Sequence, residues 1–150
     1  MTYLLLSCIV FILVAYFSPK NLTKPELYAV SMFSIILGFV IDIILDLKLN
    51  VYGYFEPGVQ FAGFLPILIL FPTSGVLYIN FYPFEKSRKA KLFYILFWTV
   101  FSLAYEFFAI VSGFFYHNGW TYTYSALTYP FLLVLQLVHF HFFKHLVNKE

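Results

Sequence analysis

Three carboxylates stand inside stretches that are otherwise apolar: Asp42 and Asp46 in one, Glu106 in another. A charged side chain at the centre of a lipid-embedded helix costs roughly 2.5–3.5 kcal/mol on insertion scales, which makes each of these residues a candidate for function. Asp42 and Asp46 are four residues apart and would share one helical face. Carboxylates in that setting can hold a cation, a proton or a substrate ammonium, or exchange protons as general acid and base. The plainer alternative puts the Asp pair in water at the membrane boundary beside Lys48. Glu106 would then be held by a Tyr, Ser or backbone group of a neighbouring helix. His117 follows Glu106 by eleven residues, about three helical turns, and would reach it only through a partner or water. It is read first as a structural cap. Glu106, Asp42, Asp46 and His117 make up the candidate polar site, and no residue is assigned a catalytic role.

A second polar group, Gln136, His139, His141 and His145, lies toward the other end of the chain's last apolar run. His141 and His145 have the i, i+4 spacing of a metal pair, but a site needs a third ligand and the topology derived below supplies none there. No metal is expected. Pro66 and Pro72 interrupt a third apolar run together with Gly63, Thr73, Ser74 and Gly75. Each proline removes a backbone donor, and in lipid this is tolerated where neighbours or cavity water satisfy the freed carbonyls. Broken helices of this kind form transporter binding sites, and kinked helices also serve simply to pack. The pairs Ser34/Gly38 and Ala109/Gly113 are spaced for close helix–helix approach. Motifs for zinc proteases, serine hydrolases, phosphate loops and dinucleotides are absent, so no cofactor is expected.

The elements that must position these groups follow from composition. Of 150 residues, 62% are hydrophobic, 24% aromatic and 11% charged, against about 25% charged in a soluble domain. Too few charges exist to cover a soluble surface, so lipid must cover it. A net charge of +2 and no basic, aromatic-interleaved pattern argue against nucleic acid as a partner. Cys8 is the single cysteine, which excludes an internal disulfide. The stretch before it lacks the positive start and apolar length of a signal, so the first helix is read as retained.

Apolar runs predict an all-α integral membrane bundle of about five transmembrane helices in a single domain, 1–150, with the third proline-kinked or broken. The spans are about 2–17, 27–47, 59–81, 92–116 and 126–146, joined by turns at Asn50, Gly53, Pro57-Gly58, Pro83 and Asn118-Gly119. The first, at sixteen residues and about 24 Å, is short for a core of about 30 Å. An interfacial first helix would leave four spans and move only the N-terminus. With five spans, Lys20, Lys24, Lys86, Arg88, Lys89, Lys91, Lys144 and Lys149 share one side and Lys48 stands alone on the other. Basic loops stay cytoplasmic, which predicts the N-terminus outside, the C-terminus in the cytoplasm, and the acidic groups in the outer half.

Several features occur together: an Asp-bearing second helix, Phe71-Pro72, Tyr82-Pro83 before a basic loop, Glu106 in the fourth helix, and Tyr116-His117-Asn118-Gly119-Trp120. Over roughly Asp42 to His141 the chain resembles an uncharacterised family of small multi-pass integral membrane proteins of endospore-forming Gram-positive bacteria. The resemblance implies a bacterial plasma membrane and carries no activity with it. Three functions fit, in this order. The first is an accessory membrane protein that assembles with copies of itself or another membrane protein. The second is a small cation- or proton-linked transport or binding unit with an outward-facing acidic site. The third is a lipid-modifying enzyme. The enzyme reading is disfavoured, and membrane lipids are the one partner common to all three.

Overall fold

The computed structural model describes residues 1–147 and is mostly helical. Five α-helices run in chain order: α1 (Thr2–Phe17), α2 (Lys24–Asp42), α3 (Phe71–Asn80), α4 (Arg88–Val111) and α5 (Tyr122–Val147). α2 continues as a π-helical turn, Ile43–Lys48, and α3 is preceded by a 3-10 turn, Phe61–Gly63, and a π-helical turn, Pro66–Leu70. Four segments, Lys24–Lys48, Phe61–Asn80, Arg88–Val111 and Tyr122–Val147, are long and apolar enough to cross a membrane. α1, with 16 residues, is apolar but shorter.

The helix limits have local causes. Thr23 and Glu26 form a reciprocal capping box at the start of α2, with Pro25 in its first turn. Ser87 accepts from Ala90 N at the start of α4. Pro66 and Pro72 each fall in the first turn of a new helical piece, where a missing N–H costs least. The third span is therefore assembled from three short segments.

α4 stops at Val111, short of the Tyr116 expected from hydropathy. Gly113 adopts φ 75°, a conformation that glycine reaches without strain, and the chain folds back on itself. Beyond that turn lies the element that an all-α reading lacks. β1 (Tyr52–Tyr54) and β2 (Phe115–His117) pair antiparallel, with Tyr52 opposite His117, Gly53 opposite Tyr116 and Tyr54 opposite Phe115. Gly53 has no side chain because a Cβ there would strike the Tyr116 ring. Asn118 N and Trp120 N both donate to Val51 O, at 2.7 and 3.0 Å, and fasten the two loops further.

The helices enclose a central space. α2 packs on α3 and α5, α4 on α5, and α1 on α3. Tyr3 and Phe11 of α1 meet Tyr105 and Phe101 of α4, which closes the ring. Gly38 of α2 lies directly on Phe71, and Gly75 of α3 on Ser34, so small residues do mark the α2–α3 contact. The other small pair fails: Gly113 lies beyond α4 with open space around it.

At the end opposite the sheet, Asn80 is bonded three ways. It accepts from Asn21 N through Oδ1, accepts from Asn21 Nδ2 through its carbonyl, and donates from Nδ2 to Pro19 O, each at 2.9 Å. Lys144 lies 3.5 Å from Glu26 at the same end, so a carboxylate does stand at that end of the bundle. Lys149 lies outside the described residues.

Candidate functional site

Glu106 sits on α4 about one and a half turns before the helix ends, 3% exposed. The reversal at Gly113 brings β2 back along the helix, so that His117 Nε2 reaches Glu106 Oε1 directly, at 2.6 Å. The expected intermediary is not needed: the three-turn separation assumed an unbroken helix. Ser125 Oγ donates to the same oxygen at 2.7 Å, and Tyr129 OH donates to Oε2 at 2.8 Å. Trp120 Nε1 in turn donates to Ser125 Oγ at 2.8 Å. Glu106 is thus the hub of a network drawn from α4, β2 and α5.

Asp42, 5% exposed, ends the α-helical part of α2. Two phenols from β1 donate to it, Tyr52 OH to Oδ1 at 2.7 Å and Tyr54 OH to Oδ2 at 3.0 Å. Burial, reinforced by the Asp42 carboxylate, raises both phenols above the ordinary tyrosine range. Both therefore stay protonated as donors. Among the described residues the ion pairs are His117–Glu106 and Lys144–Glu26, so Asp42 faces neutral donors alone.

Asp42 and Glu106 line one cavity of about 280 Å³ inside the helix ring. Its wall is mostly apolar, and among the described residues no Lys, Arg or His contributes to it. Residues from all five helices and both strands take part. Pro66 lines it as well, whereas Pro72 is buried and does not line it. Asp46 does not share this space. The π-helical turn from Ile43 bonds i to i+5 instead of i to i+4. Asp46 instead lines a smaller void of about 60 Å³, which it shares with Asp42 and Tyr54. His117 stays outside the cavity wall and holds Glu106 from the sheet side, 16% exposed.

No family model, curated protein or solved structure matches this chain.

The cavity also has a neutral polar region. Gln136 Nε2 donates to Ser34 Oγ at 3.1 Å and to Val30 O at 3.3 Å, both on α2. The terminal histidines form no comparable centre. His141 Nδ1 donates to Leu137 O within its own helix, and His139 stacks on Phe33 with ring centroids 3.9 Å apart. Among the described residues no three His, Cys, Asp or Glu side chains gather as metal ligands would.

Sequence reading passed over the residues that complete the site: Tyr52, Tyr54, Ser125 and Tyr129. Tyrosines in a membrane chain suggest headgroup anchors. The available signal was a Tyr-Gly-Tyr close after an intramembrane Asp, since a buried carboxylate needs donors within reach.

Proposed function

We propose that this chain is a multi-pass integral membrane protein whose internal cavity binds a small, largely apolar molecule bearing an ammonium or similar cation. One observation carries this reading: among the described residues Asp42 has no ion-pair partner, and it faces a mostly apolar cavity. A carboxylate offers about four acceptor sites, and Asp42 uses two. Coulomb attraction is strong where water is scarce, so a ligand cation is the natural complement. A volume of about 280 Å³ is near the lower end of the roughly 300–1,000 Å³ usual for ligand pockets, which suits a small occupant.

The segregation of Lys and Arg toward the end opposite the sheet supports a plasma-membrane orientation with the sheet outward and the C-terminus cytoplasmic. The resemblance to membrane proteins of endospore-forming bacteria agrees with that setting. Five spans, α1 included, fit the packing of α1 against α3 and α4. The accessory reading has the support of a different observation: donors within the chain already hold both carboxylates, Tyr52 and Tyr54 on Asp42 and His117, Ser125 and Tyr129 on Glu106.

Thermal unfolding in lipid nanodiscs separates the two. Alkyl amines should stabilise the wild type more than alcohols or carboxylates of equal chain length, by about 2.7 kcal/mol at a hundredfold excess over Kd. Asp42→Asn should remove the preference. Equal responses to amines and alcohols would leave the accessory reading standing alone.

A further inference from the structure

We infer that the ligand is bipolar, with a hydroxyl or comparable hydrogen-bonding group at the end remote from its cation, and that Tyr78 reads that group. The inference rests on the cation-binding reading above and specifies the ligand class. Tyr78 lines the same cavity as Asp42 and Glu106 and is 1% exposed, yet among the described residues its hydroxyl has no hydrogen-bond partner. Its ring is held firmly, stacked on Tyr94 with Trp98 edge-on, so phenylalanine would serve the packing equally well. An unpaired hydroxyl among apolar groups carries a desolvation cost, and native structures leave few such groups without a role.

Its surroundings make a second polar pole. Gly75 precedes Tyr78 by one helical turn and so lies on the same face of α3. A Cβ at Gly75 would collide with Ser34 Oγ and stand 3.4 Å from Gln136 Nε2. Both Gln136 amide hydrogens face α2 acceptors, and among the described residues no hydrogen bond reaches its carbonyl oxygen. Tyr78 therefore offers a donor and Gln136 an acceptor, a combination that a hydroxyl satisfies from both sides. Ser34 and Asp42 are eight residues apart on α2, so the neutral and acidic poles are about 12 Å apart along the bundle. Tyr105, the other cavity tyrosine with an unpartnered hydroxyl, packs instead against Tyr3 and Phe11 of α1.

The test compares decylamine with its omega-hydroxy counterpart by binding to the full chain in nanodiscs. A terminal hydroxyl ordinarily weakens insertion into an apolar cavity. Here it should tighten binding by about tenfold in the wild type. Tyr78→Phe should reverse that preference and leave the unliganded protein at least as stable as wild type, since only an unpaired group is lost. A wild-type preference for plain decylamine, or a hydroxyl preference that survives Tyr78→Phe, overturns the inference and leaves cation binding intact. Failure of both amines to bind overturns the cation reading itself.

Discussion

Tyr52 and His117 are Cα partners across the two-stranded sheet, and each holds a different buried carboxylate. Tyr52 donates to Asp42 at 2.7 Å, while His117 meets Glu106 at 2.6 Å. The two acidic groups of the cavity are thereby joined through one rung of a ladder. A displacement of β2 that lengthens the His117–Glu106 contact also pulls on the Tyr52–Asp42 contact. The sheet acts as a common latch over two acceptors on different helices.

The Glu106–His117 contact should show strong energetic coupling. Glu106→Gln keeps the side-chain shape but weakens three hydrogen bonds, at a cost of about 1.5–3 kcal/mol for donors lost from a charged acceptor. A double-mutant cycle with His117→Gln, followed by equilibrium unfolding in mixed micelles, should give an interaction energy within roughly 0.5–3 kcal/mol. Simple additivity would mean that the contact contributes nothing to the fold.

Gly75→Ala should destabilise the chain even though alanine is the better helix former by about 1 kcal/mol. The added methyl meets Ser34 Oγ, and overpacking of this kind costs about 1–3 kcal/mol. Ser34→Ala removes the obstructing atom, and Gln136 keeps Val30 O as its acceptor. The double variant should therefore unfold at a higher temperature than Gly75→Ala alone. A further loss of stability in the double variant would contradict the packing described.

Orientation can be read by labelling. In a Cys8→Ala background, Thr121→Cys should react with an impermeant maleimide added to intact cells. Ser87→Cys should react only after permeabilisation. The opposite pattern would invert the bundle and place the sheet on the cytoplasmic side.

The long helices were legible because lipid demands runs of about 20 apolar residues, a signal too extended to miss. The grouping of basic residues at one end was equally plain. What escaped was short-range in form and long-range in origin. β1 and β2 are three residues each, too brief for alternation to register. Their pairing joins loops more than sixty residues apart, which no local pattern announces. Phe114 and Phe115 prolonged the hydropathy of α4 past its true end, and the left-handed Gly113 outweighed them. The same reversal turned His117 from a remote residue into a direct ligand of Glu106. Asp42 and Asp46 do face a common small void, as their spacing implies, but past the π-helical turn only Asp42 reaches the larger cavity.

The donors to each carboxylate lie downstream of it and close by. Asp42 is served by residues ten and twelve positions later, and Glu106 by residues eleven, nineteen and twenty-three positions later. At roughly 5–20 residues per second, each acid leaves the ribosome no more than a few seconds ahead of its partners. Membrane insertion can then proceed hairpin by hairpin, each one silencing its own charge. Chain order alone delays one step: β1 can pair with β2 only after some sixty further residues have been made.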